Sequence, residues 1–138
     1  MLRRDVPVVL FLGGNDLLRD TPVRSVRLAF RSLLRLFRKK LPGVVLILIK
    51  LPAFPRCSGR PRQLESIDQF NTFLSTLKDM RTSVVHLSQE LKSTAFFHLY
   101  YGRSKRPDGV HLNDEGYRTL VRMLTQELIK RHEAGQDS

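Results

Sequence analysis

The chain has 138 residues, 41% of them apolar, with four His, one Cys and no Trp; that fits one small domain with a real core. One cysteine excludes a disulfide framework and a thiolate zinc site, and the longest apolar run, residues 44–49, is far short of the roughly 20 residues of a membrane span. The formal charge is +11, and all of that excess falls in residues 19–62, which hold twelve basic side chains, nine of them Arg, against Asp20 alone.

Met1-Leu2-Arg3-Arg4 opens like a targeting segment. No small-residue cleavage site follows, and Asp5 and Asp16 do not suit an acid-poor transit peptide. The expectation is a soluble intracellular protein, cytoplasmic or nuclear. Val8-Val9-Leu10-Phe11-Leu12 is a continuous apolar run ended by Gly-Gly, which predicts a strand buried on both faces. Thr21-Pro22 predicts a helix start, the hydroxyl as cap and Pro in the first turn. Val23, Val26, Phe30, Leu33, Leu34 and Phe37 then recur at helical spacing and define an inner face. Arg24, Arg27, Arg31, Arg35 and Arg38 form a neighbouring stripe with no acid on the same helix to neutralise them.

Pro42-Gly43 ends that helix, and Val44 to Ile49 reads as a second buried strand. Residues 52–62 read as a loop from their Pro, Gly and Arg content. A second helix follows with Leu64, Ile67, Phe70, Leu74, Leu77 and Met80 inward, then a short third strand at Val84-Val85-His86-Leu87. Residues 88–112 look irregular. Asn113 or Asp114 caps a last helix with Tyr117, Leu120, Val121, Leu124 and Leu128 inward and Gly135 just past its end. Strands alternating with helices imply an α/β fold with parallel strands and right-handed crossovers, one domain over residues 1–138.

In such sheets the chemistry lies beyond the carboxyl ends of the strands, and two motifs fall there. Gly13-Gly14-Asn15-Asp16 follows the first strand directly. Glycine permits a sharp turn, and an Asn amide there can donate to a developing oxyanion, although Gly-Asn-Asp is also common turn chemistry. Asp108-Gly109-Val110-His111 precedes the last helix. A His serves as general base when a carboxylate fixes its tautomer, and Asp and His three residues apart can meet locally. The plain alternative is a loop Asp and a surface His.

Together the motifs resemble the SGNH or GDSL-type lipases and esterases. Strand-Gly-x-Asn-Asp is similar to that family's third block and Asp-x-x-His to its fifth; the stretch DGVHLNDEGY, the helix bearing Asn71 and the spacing of about 95 residues fit as well. The resemblance implies a three-layer, flavodoxin-like parallel sheet, here shortened at its N-terminus to about three strands and three main helices. It implies that Asn15 donates in the oxyanion hole beside Gly13, that Asp16 orders the turn, and that His111 is the base oriented by Asp108. The implied reaction is ester hydrolysis through an acyl-enzyme, without metal or organic cofactor.

The family's nucleophile is a Ser in a Gly-Asp-Ser block after its first strand. No Gly-Asp-Ser occurs in the 138 residues, and only twelve residues precede Gly13. Ser25, Ser32, Ser58, Ser66 and Ser75 lack a strand in front and a helix behind. The expectation is an incomplete hydrolase domain, inactive alone, that acts on a small ester once completed. Without the family's first strand, the strand at Val8–Leu12 is a bare apolar edge, and self-association through it is expected. Cys57 sits in a basic loop that favours a thiolate but has no His partner nearby in sequence. Tyr100-Tyr101 before Arg103, Lys105 and Arg106 is suited to stacking or anion steering. The alternative function is a non-catalytic module of the same fold whose arginine-rich helix binds RNA or single-stranded DNA. A third reading is a decayed reading frame with no function of its own.

Overall fold

Three short apolar segments build the sheet. The computed structural model describes residues 7–57, 59–86 and 111–136. Strands β1 (Val8–Leu10), β2 (Leu46–Lys50) and β3 (Thr82–His86) lie side by side in that order, all parallel. Val9 stands opposite Ile47, and Leu48 opposite Val84. Helices α1 (Gly14–Leu18) and α2 (Val23–Lys40) connect β1 to β2. A single 3-10 turn, Pro55–Cys57, and helix α3 (Pro61–Ser75) connect β2 to β3, and α4 (Asp114–Gln136) is the last described element. The class is α/β with a parallel sheet, as expected.

The chain divides into two compact units. The first holds the described residues up to Ala53 together with Cys57–His86; the second holds Phe54–Arg56 and the described residues beyond His86.

In the first unit, Leu46, Ile47, Leu48 and Ile49 of β2 are all buried, so this strand is covered on both faces. Each such side chain contributes on the order of 1.5–3 kcal/mol of hydrophobic stabilisation. Beneath the helices, Phe30 of α2 meets Phe70 and Phe73 of α3 edge-on, with ring centroids 5.7 and 6.3 Å away. In the second unit, Leu112, Thr119 and Leu120 are buried.

Several expectations need correction. The first strand is Val8–Leu10, and it is not buried on both faces: Val9 is 41% and Leu12 45% exposed. It pairs with β2 alone among the described residues, and Phe11 and Leu12 have left the ladder before Gly13 turns the chain. Thr21 does not cap α2. Its N–H donates to the Asp16 carbonyl at 2.9 Å, closing the turn out of α1, so Pro22 becomes the residue at the cap position. Gly13-Gly14-Asn15-Asp16 is more than a turn, because Asn15 and Asp16 lie in α1, a fourth helix.

Residues 55–57 and 61–62 are not loop but helical turn and helix, since Pro61 starts α3 at a position where its missing N–H costs nothing. Met80 is 93% exposed because α3 stops at Ser75. The third strand starts at Thr82, two residues earlier than expected. On α4, Tyr117, Val121 and Leu128 are exposed, whereas Gly116, Thr119 and Leu120 are buried. The inner face is rotated by about one residue from the expected one. Gly135 lies inside α4, which runs on to Gln136.

Candidate active site

The turn beyond β1 is set by Gly13. Its φ is +105°, in the left-handed region, and a Cβ there would lie 3.1 and 3.2 Å from Phe70 ring carbons. Backbone conformation and close packing therefore both require glycine. From this corner α1 begins, with Asn15 and Asp16 exposed in its first turn and Leu17 buried. The far end of α1 is tied down by Gln63, 5% exposed, whose Nε2 donates to the Leu18 carbonyl at 3.0 Å. The Asp16 backbone carbonyl accepts from the Arg19 and Thr21 N–H groups.

The chain leaving β2 is fixed by Asn71. Its Nδ2 donates to the Leu51 carbonyl and its Oδ1 accepts from the Leu51 N–H, both at 2.7 Å and both buried. At the carboxyl ends of β2 and β3, Lys50 and His86 are register neighbours. Burial, and then the charge of Lys50, hold the His86 imidazole below its ordinary pKa.

In the second unit, His111 is half-buried two residues ahead of the α4 cap. Asn113 is that cap. Its Oδ1 accepts from the Gly116 N–H at 2.8 Å, and its backbone carbonyl accepts from Tyr117 at 3.0 Å. Buried Leu112 between them anchors the strap on which His111 stands. Asp108 lies outside the described residues, as do His98, Tyr100, Tyr101, Arg103, Lys105 and Arg106.

The structure thus places Gly13, Asn15 and Asp16 together beyond β1 and places His111 before α4. Cys57 is fully buried in the first unit, not displayed in a basic loop. Among the described residues, no group of three or more His, Cys, Asp or Glu is arranged to hold a metal ion. Likewise, no described helix is long and apolar enough to cross a membrane.

The arginine stripe divides. Arg24, Arg27, Arg31 and Arg35 are exposed, whereas Arg38 is half-buried. Arg38 donates to the Val44 carbonyl at 2.7 Å and to Thr82 Oγ1 at 2.6 Å, so it fastens α2 to the starts of β2 and β3. Gln63 and Arg38 were not legible as anchors. Their one sequence signal is a polar residue amid apolar neighbours at helical spacing, which also fits a solvated face.

Comparison with curated proteins gives no match. A model of the GDSL-like Lipase/Acylhydrolase family matches residues 2–119, which include both the Gly-Gly-Asn-Asp turn and the Asp-x-x-His strap. The chain belongs to the GDSL-like Lipase/Acylhydrolase family.

Proposed function

We propose that the chain carries the oxyanion and acid–base half of a serine-type ester hydrolase. The observation that carries this reading is Asn15, exposed on the first turn beyond β1 and held there by the packing of Gly13 against Phe70. Its Nδ2–H would donate to the carbonyl oxygen as negative charge develops in the tetrahedral intermediate. His111 would take the proton of the attacking hydroxyl and return it to the leaving alcohol, with Asp108 holding its tautomer. Asp16 supports the Asn15 turn. No metal or organic cofactor enters this scheme, and the substrate is a small ester.

The 138 residues contain no Gly-Asp-Ser, so the attacking hydroxyl is the missing part. Loss of a triad nucleophile costs on the order of a million-fold in rate. The chain alone should therefore hydrolyse p-nitrophenyl butyrate no faster than buffer. Hydroxylamine can stand in as the nucleophile: its nitrogen attacks the acyl carbon, the C–O bond breaks, and the nitrogen's proton leaves with p-nitrophenol to give a hydroxamate. Hydroxamate formation above background, lost in Asn15→Ala and in His111→Ala, supports the reading. Formation no faster than without protein overturns it. Hydrolysis with a burst, lost in His111→Ala, would show that one of the chain's own serines attacks.

A further inference from the structure

We propose that the outer face of α2 is a docking surface for a single strand of nucleic acid, gripped by its phosphates. This is independent of the hydrolase reading. Arg24, Arg31 and Arg35, with Lys39, recur on the face opposite buried Val26 and Phe30, and Arg27 flanks them; all five are exposed. Among the described residues, none of these five has a carboxylate recorded within ion-pair distance. Seven of the twelve basic side chains in residues 19–62 lie on α2, and these five of them stand unneutralised on its outer face.

Two of these cations are pre-positioned. The Arg27 guanidinium carbon lies 4.9 Å and that of Arg31 5.4 Å from the centroid of the same ring, Phe73 of α3. A ring attracts a cation through its quadrupole, and here it holds two like charges near one another without neutralising either. A braced pair of guanidiniums suits the oxygens of a phosphate, which accept forked hydrogen bonds. Arg24 to Arg35 spans about 16 Å at 1.5 Å per residue, which matches a chain of phosphates better than one small anion.

The same face argues against a lipid surface. An interfacial helix lays an apolar face into the bilayer, whereas the apolar face of α2 is already buried in the fold. Only Leu28 and Leu36 remain exposed on this helix as large apolar side chains. The face also shows no free aromatic ring, since Phe73 is buried and covered by arginines, so base stacking is not part of the grip. Binding should be indifferent to sequence and to the 2′-hydroxyl.

The test is fluorescence anisotropy of the full chain with labelled oligouridylate and oligothymidylate of about 20 nucleotides. Four phosphate contacts predict a slope of log affinity against log salt near −3, at about −0.7 per contact on single strands. That is about a 50-fold loss between 50 and 200 mM salt. Arg27→Gln with Arg31→Gln should make the slope shallower by about 1.4. Arg24→Gln with Arg35→Gln, which disturbs no packing, should do the same and serves if the first pair fails to fold. Arg38→Gln should lower the melting temperature and leave the slope unchanged. Three results overturn the proposal: no binding at about 50 mM salt, a slope that survives both paired substitutions, or tighter binding to phosphatidylserine vesicles than to either oligonucleotide.

Discussion

The turn bearing Asn15 and the strap bearing His111 are built by different means. The first is fixed from a distance: Gly13 abuts Phe70, Gln63 reaches back to Leu18, and Leu17 is buried. The second is fixed locally, with Asn113 capping α4 through Gly116, three residues on. The turn is therefore sensitive to changes in the helices packed on it, and the strap mainly to changes in its own few residues.

That contrast can be broken from the distant side first. Asn71→Ala leaves the Leu51 N–H and C=O buried and unpaired, which costs about 3 kcal/mol at 1–3 kcal/mol per group. Urea unfolding should show the loss as a lower midpoint with an unchanged slope. Gly13→Ala forces a Cβ against Phe70 in a left-handed conformation, and about 2 kcal/mol should be lost. The same variant should shift the Asn15 side-chain amide signals in NMR while leaving those of His111 in place. Equal shifts at both residues would mean that the two halves are not separately built.

The local side should yield less. Asn113→Ala removes one cap and costs about 1 kcal/mol, and Asn113→Asp should restore most of it. The smallest effect sharpens the picture at the strand ends. The pKa of His86 is depressed in the fold, so the unfolded chain binds more protons just below pH 6.5. Stability should fall as pH drops from about 6.5 through the folded-state value, and His86→Gln should flatten that part of the profile. Urea midpoints collected between pH 8 and pH 5 decide it.

The same contrast explains what the sequence could disclose. The Asn113 cap, the apolar runs of the first two strands and the helix starting near Pro22 are short-range patterns, and each is readable within a few residues. Gln63 and Arg38 act across 45 and 44 residues, and nothing near either in sequence names its partner. The rotated inner face of α4 was missed for a related reason. Periodicity finds large apolar residues, whereas the buried Gly116 and Thr119 are neither large nor strongly apolar. Asn15 and His111 were legible as motifs; what holds each of them in place was legible only for the second.

Asn71 has one further consequence. Its carboxamide is in effect a detached peptide group, offering an N–H and a C=O to Leu51 as a neighbouring strand would. The ladder thus gains one rung beyond Lys50, supplied by a helix. Aspartate lacks the donor and glutamine sets the same group a methylene too far, so neither can stand in. Sliding α3 by a single residue would withdraw the rung altogether. The sheet and the helix are thereby keyed to one mutual register, as a lock is to the cut of its key.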